Sequence, residues 1–135
     1  MTPLFKKLNY KNQAEMLIVN PPNSFFTEME LMKESALIST DLSVNSRTGF
    51  ILAFVTKLSE VETLSQQLVQ QIEPDGLLWF AYPKQSSKKH QCDFNRDNGW
   101  QVLKSLGYEG VRMIAIDDDW SALRFRQTDL IKKTR

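Results

Sequence analysis

One cysteine, Cys92, and one histidine, His90, are all the thiol and imidazole this chain offers. A lone thiol cannot close an intramolecular disulfide, and a closed zinc site needs about four ligands, so neither staple is expected and no resident metal is assigned. An excess of charge of one sign is equally lacking. Seventeen Lys and Arg face sixteen Asp and Glu, a net charge of +1, which leaves no global field to draw in nucleic acid, an acidic membrane or an anionic substrate. Electrostatic recognition must therefore be local. No apolar run reaches the ~18 residues of a membrane span, and MTPLFKKLNY has polar residues where the apolar stretch of a secretion signal would lie. These absences predict a cytoplasmic protein with no membrane partner. With only five Gly, five Pro and no low-complexity run, and with 41% hydrophobic residues, the chain is no disordered segment. Its 135 residues suit one domain rather than separate cofactor and substrate domains.

What is present is a series of short apolar runs. Met16-Leu17-Ile18-Val19 reads as a strand buried on both faces, stopped by Asn20-Pro21-Pro22, whose prolines remove ladder donors. Ser24 to Met29 reads as a helical turn or two, and Ala36-Leu37-Ile38 as a weaker strand before the polar stretch Ser39 to Thr48, with a turn at Asn45-Ser46-Arg47. Phe50 to Val55 is nearly all apolar and predicts a central strand. Ser59-Glu60-Val61-Glu62 has the spacing of a capping box, and Val61, Leu64, Leu68 and Ile72 then lay one apolar stripe along a helix stopped by Pro74-Asp75-Gly76. Leu77 to Tyr82 is the next strand, so residues 50–82 form a βαβ unit with parallel strands. Lys84 to Gln91 is a polar, basic loop. Caps within Asp93 to Asp97 precede a helix with Trp100, Leu103 and Leu106 inward and Gly107 as a left-handed stop. Val111 to Ile116, the turn Asp117-Asp118-Asp119, and Trp120 to Phe125 complete an antiparallel pair. Residues 1–128 are thus read as one α/β domain, and Asp129 to Arg135 as a basic, mobile tail.

The order of elements predicts an open, mostly parallel, Rossmann-like sheet with flanking helices and a C-terminal antiparallel hairpin. In such sheets ligands bind outside the carboxyl ends of the parallel strands. Those ends carry Asn20-Pro21-Pro22, Thr56-Lys57, Tyr82-Pro83-Lys84 and Asp117-Asp118-Asp119-Trp120. The runs Leu78-Trp79-Phe80-Ala81-Tyr82-Pro83-Lys84, Asp93-Phe94-Asn95-Arg96-Asp97 and Ala115 to Phe125, with Trp120-Ser121-Ala122 before a closing Arg124, resemble a family of small bacterial domains without established activity. The resemblance covers most of residues 49–126, with an echo at Asn20-Pro21; Gln85 departs from the Gly or Ser that relatives carry after Pro-Lys. The later half also resembles the second half of class I methyltransferases, with Pro74-Asp75-Gly76 at their Pro-Gly-Gly type turn. That resemblance would imply S-adenosylmethionine, but the glycines such a site needs after the first strand are missing, since none precedes Gly49. No acidic residue clearly ends a second strand to hold a ribose. Cofactor binding in the usual mode is therefore not expected.

Candidate ligand-binding residues are Lys84, Asp117, Asp118, Trp120 and Asn20. Lys84, ending a central strand, would bind an anion or act as a base if desolvated; the plainer readings are a solvated lysine or one paired with Asp117 or Asp118. Asp117, Asp118 and Asp119 could hold Mg²⁺, although three aspartates also suit a hairpin turn, which is the favoured reading. Trp79 reads as core and Trp120 as a ligand wall at the edge. Lys84, Lys88, Lys89, His90 and Arg96 make a local basic patch with no interleaved aromatic, so nucleic acid is not expected as partner. His90 and Cys92 form no readable nucleophile and base set, and no catalytic residue is assigned. The expected function is a non-catalytic domain that binds a small anion or a protein. The alternative is a small enzyme acting on an anionic metabolite, with Lys84 on the anion, an aspartate as base or Mg²⁺ ligand, and Trp120 as a wall. An exposed edge at the Ala36 segment or the terminal hairpin would allow a homo-oligomer.

Overall fold

The apolar runs become the middle of a sheet because they have two faces to bury. The computed structural model describes residues 2–41, 47–94 and 98–133, with backbone alone at 132 and 133. Strands β1 (Glu15–Val19), β3 (Thr48–Phe54) and β4 (Ile72–Pro83) run parallel, with Val19 opposite Ala53 and Ala53 opposite Phe80. A short β2 (Leu37–Ser39) adds to the outer side of β1, also parallel. On the far side β6 (Trp120–Gln127) pairs antiparallel with β4, and β5 (Tyr108–Ala115) lies outside it, giving the order β2-β1-β3-β4-β6-β5.

Two layers of helix cover this sheet. Strand residues alternate, so Phe50, Leu52, Phe54 and Trp79 meet α1 (Pro3–Lys7) and α2 (Phe26–Met32), the latter entered through a 3-10 turn at Asn23–Phe25. Ile51, Ala53, Leu78 and Phe80 meet α3 (Leu58–Gln71) and α4 (Gln101–Ser105) on the opposite face. The result is the open α/β sheet with flanking helices and an antiparallel C-terminal pair that the element order predicts. The longest helix is α3, and no helix among the described residues is long and apolar enough to cross a membrane.

Several local expectations are corrected. The start MTPLFKKLNY, read only as polar, contains α1: Thr2 caps it by accepting the Phe5 amide at 3.1 Å, Pro3 occupies its first turn, and Phe5 and Leu8 are wholly buried. The box at Ser59 and Glu62 does not cap α3, which begins at Leu58. Instead Glu60 reaches back, its carboxylate accepting the Thr56 and Lys57 amides at 2.8 and 3.1 Å. The stripe Val61, Leu64 and Leu68 is buried as expected, but the helix ends at Gln71 and Ile72 already opens β4. Pro74-Asp75-Gly76 is not the stop. It lies in an irregularity where β4 advances five positions, from Ile72 to Leu77, while β3 advances two, from Thr48 to Phe50, and Asp75 takes a positive φ of 55°. Leu106, expected inward, is 38% exposed because α4 is only five residues long, while Gly107 at φ 88° does provide the left-handed stop. Asp93 caps α3 rather than the helix that follows it, and residues 95–97 of the expected cap segment lie outside the described residues, as does Asn45-Ser46 of the expected turn. Where a tail is expected from 129 onward, Thr128–Lys133 form helix α5, and residues 134 and 135 are outside the described set.

Candidate functional site

The parallel strands deliver four chain segments to one edge of the sheet, and the loop of residues 84–94 closes over two of them. After β1, Asn20 turns the chain with φ 54°, a left-handed conformation that Asn tolerates, and Pro22 leads into the 3-10 turn. After β3, the donors of Thr56 and Lys57 are consumed by Glu60, which also accepts from the Thr56 hydroxyl at 3.2 Å. The 84–94 loop is stitched down at both ends. The Lys84 amide donates to the Asp119 carbonyl at 2.8 Å, and the Ser87 hydroxyl donates to the Asp119 carboxylate at 2.9 Å. Ser87 in turn accepts from the amides of Lys89 and His90 at 3.3 and 3.2 Å. At its other end the Asp93 carboxylate takes the Leu58 amide at 2.6 Å, filling one of the orphan donors at the start of α3.

Between these anchors lies a cavity of about 510 Å³ whose lining includes Lys84, Gln85, Ser87, His90, Asp93 and Phe94. That volume falls within the usual range of small-ligand sites. Lys84 makes no ion pair with Asp117 or Asp118 among the described residues, and its side chain borders the cavity. Asp117 lies apart from it: one of its carboxylate oxygens accepts the amides of Asp119 and Trp120, both at 2.8 Å, which ties the β5–β6 turn. Asp118 is exposed in that turn, and among the described residues no three acidic, His or Cys side chains gather as a metal site. Asn20 is exposed at the end of β1 and does not line this cavity.

Trp120 is 4% exposed and ends a row of rings. Phe25 packs on Phe54 at 4.9 Å between centroids, Phe54 on Trp120 at 5.1 Å, and Trp120 on His90 at 4.9 Å. The row ties the turn after β1 to the 84–94 loop. Two polar atoms near it lack partners among the described residues: Trp120 Nε1, and Glu28 Oε2 one helical turn beyond Phe25, are both shielded from solvent without a hydrogen bond there. Cys92 borders the cavity, and its thiol is pushed up chiefly by burial and further by the Asp93 and Glu60 charges, against a backbone hydrogen bond at Phe94. A raised thiol is a poor nucleophile at neutral pH.

Several of these roles escape a reading of the sequence. The Ser87–Asp119 link spans 32 residues and the Asp93 cap 35, so no local spacing announces them. Glu60, three residues after Lys57, was open to recognition as a carboxylate at the third helical position. Asp41 stands two residues beyond β2, with its amide on the Ser39 hydroxyl at 3.2 Å, and is an acidic residue just past the end of the second strand. Removing the Asp93 carboxylate by Asp93→Ala is expected to cost about 0.5–2 kcal/mol, the range for losing a helix cap. Asp93→Asn keeps an acceptor oxygen and should retain most of that stability. Urea unfolding of the two variants checks this, and equal losses in both would deny the cap.

Comparison with known proteins bears on the scaffold. A methyltransferase dependent on S-adenosylmethionine from Aquifex aeolicus superposes with a TM-score of 0.64 at 12% identity, over 90% of this chain and 86% of that one. The N-methyltransferase NodS from Bradyrhizobium japonicum WM9, in complex with S-adenosyl-l-homocysteine, gives a TM-score of 0.56 at 13% identity, covering 93% of this chain and 88% of that one. The Methanococcus jannaschii fibrillarin pre-rRNA processing protein gives 0.55 at 10% identity, covering 95% and 70%. At such identities the likeness is one of fold, and the fold is methyltransferase-like. No family model and no curated protein matches the chain, so the resemblance to the small bacterial domain family has no support beyond its residues.

The fold family implies S-adenosylmethionine, and the turn after β1 can be tested for it. Pro21 and Pro22 have no N–H, the first helical element there is a three-residue 3-10 turn, and the Phe25 amide is already spent on the Pro22 carbonyl at 2.9 Å. A turn with these donors missing and no glycine does not fit a cofactor held by close backbone approach. Asp41 alone does not supply what that turn lacks.

Proposed function

We propose that this chain is a non-catalytic binding domain on a methyltransferase-like scaffold, and that its ligand is a small anion held in the cavity beside Lys84. The observation that carries this reading is the cavity of about 510 Å³, formed by the 84–94 loop, with Lys84 on its wall and not paired to an aspartate among the described residues. Lys84 supplies the charge. His90 supplies a ring whose position is fixed by Trp120, and the Ser87 hydroxyl holds the loop that carries both. A binding role is favoured over catalysis by what borders the cavity: the Cys92 thiol is pushed up, and among the described residues no carboxylate hydrogen-bonds His90 to orient it as a base. The proline turn after β1 argues against methyl transfer with the cofactor of the structural neighbours.

Thermal unfolding against sugar phosphates, nucleotides, S-adenosylmethionine, S-adenosylhomocysteine and Mg²⁺ tests the reading. A ligand at about a hundred times its dissociation constant adds roughly 2.7 kcal/mol, which moves the midpoint of a domain this size by several degrees. The expected result is a shift with a phosphorylated metabolite that Lys84→Ala abolishes, and none with S-adenosylmethionine. A shift with S-adenosylmethionine, or saturable turnover of the anion that binds, would overturn the non-catalytic reading; a panel without any shift would leave a protein as the partner to seek.

A further inference from the structure

One face of the β5–β6 pair concentrates arginine. Arg112 and Arg124 stand directly opposite each other across the two strands, and Arg126 follows two residues along β6 on the same face. Like charges placed opposite one another destabilise an antiparallel pair. The carboxylate ion-paired to them among the described residues is Asp75, and it is committed to Arg126, whose Nε and Nη2 donate to its two oxygens at 2.7 and 2.9 Å. Arg124 reaches Asp75 only at 3.8 Å, and Arg112 has no ion-pair partner in that set. Arg124 is also withdrawn from water: its side chain is 17% exposed, and its Nε is shielded with no acceptor among the described residues. Burial, more than the neighbouring arginines, pushes its guanidinium down against the pull of Asp75. A shielded charged donor without an acceptor is costly, and an incoming anion would supply one.

We infer that Arg112, Arg124 and Arg126 form a second anion site, on the sheet face, that takes the phosphate group of a small ligand. Guanidinium forks match the oxygens of phosphate in pairs, and two of the three forks are not committed to Asp75. The site is distinct from the cavity beside Lys84, because Arg124 lies opposite Trp79 whereas Pro83, next to Lys84, lies opposite Trp120. A small ligand fits better than a nucleic acid backbone. Asp75 and Glu109, the latter opposite Arg126, bound the positive patch, and the aromatic beside Arg124, Trp79, is fully buried and cannot stack on a base.

Calorimetric titration with inorganic pyrophosphate, at ionic strength matched with sodium chloride, tests the site. The titration is run in wild type and in Lys84→Ala, so that anion binding in the Lys84 cavity is separated from binding here. The expected result is saturable binding that survives Lys84→Ala and weakens about tenfold in Arg112→Gln, the loss of one charge-assisted contact. Arg112→Gln removes one of two facing like charges, so its unfolding midpoint should not fall. Asp75→Asn should bind more tightly, because it frees Arg126, and Asn accepts the positive φ at that position. Absence of saturable heat, undiminished binding in Arg112→Gln, loss of all binding in Lys84→Ala, or no gain in Asp75→Asn would each overturn the site. Tighter binding of a single-stranded oligonucleotide than of pyrophosphate would replace the small ligand with nucleic acid.

Discussion

Replacement of Trp79 by alanine is expected to lower stability by about 3–5 kcal/mol, the range for truncating a large buried aromatic. Trp79 is wholly buried in β4, between Leu52 of β3 and Arg124 of β6, and its indole N–H donates to the Leu8 carbonyl at 3.1 Å. It therefore joins three things at once: the parallel half of the sheet, the antiparallel half, and the segment just after α1. Against a total of roughly 5–15 kcal/mol for a domain, the loss leaves little margin. Trp79→Phe separates the two contributions. It keeps most of the ring volume but strands the Leu8 carbonyl, a cost of about 1–3 kcal/mol. Urea unfolding gives both numbers, and an unchanged midpoint in Trp79→Ala would mean that the ring does not fill the space described.

Gly99→Ala should be the most damaging small change near the cavity, at about 1–3 kcal/mol for a side chain forced into strained backbone. Gly99 has φ 92°, and a Cβ there would sit 2.8 Å from Phe94 Cβ, which cannot swing away as the end of a long side chain would. Phe94 packs on Trp100 at 5.1 Å and on Tyr82 at 6.0 Å, so a displaced Phe94 disturbs the ring cluster behind the cavity it lines. Gly107→Ala is the matched control: its φ is 88°, but nothing lies within 4 Å of the added methyl, so only the backbone cost remains. Thermal unfolding of the pair should show Gly99→Ala several degrees below Gly107→Ala, and ligand binding at the cavity should weaken in the former alone. Equal midpoints would remove the contact with Phe94 from the account.

These two sites mark where sequence reading succeeds and where it stops. Phe50 to Val55 and Leu77 to Tyr82 announce themselves because a strand buried on both faces has no polar residue to interrupt it. Their parallel pairing follows from the helix between them. Thr2-Pro3 was an equally local signal, a cap followed by proline, but Lys6 and Lys7 obscure the short apolar face of Leu4, Phe5 and Leu8. At the candidate site, Lys84 could be placed at a strand end from sequence alone. What holds the loop around it could not, because Asp119 and Trp120 meet Ser87 and His90, and Asp93 meets Leu58, through long-range contacts rather than through spacing. Asp117 illustrates the reverse case: its hold on two amides two and three residues on is turn chemistry that the sequence does specify.

The insertion of β6 between β4 and β5 has a consequence for how the chain is made. When β4 emerges from the ribosome it finds β3 waiting on one side, but its other edge has no neighbour until residues 120–127 follow. At roughly 5–20 residues per second that interval lasts some seconds, long compared with the microseconds in which local structure forms. During it the nascent protein carries an open strand edge with Trp79 on it. That is the window in which a chaperone, or another nascent copy, would find this chain most receptive.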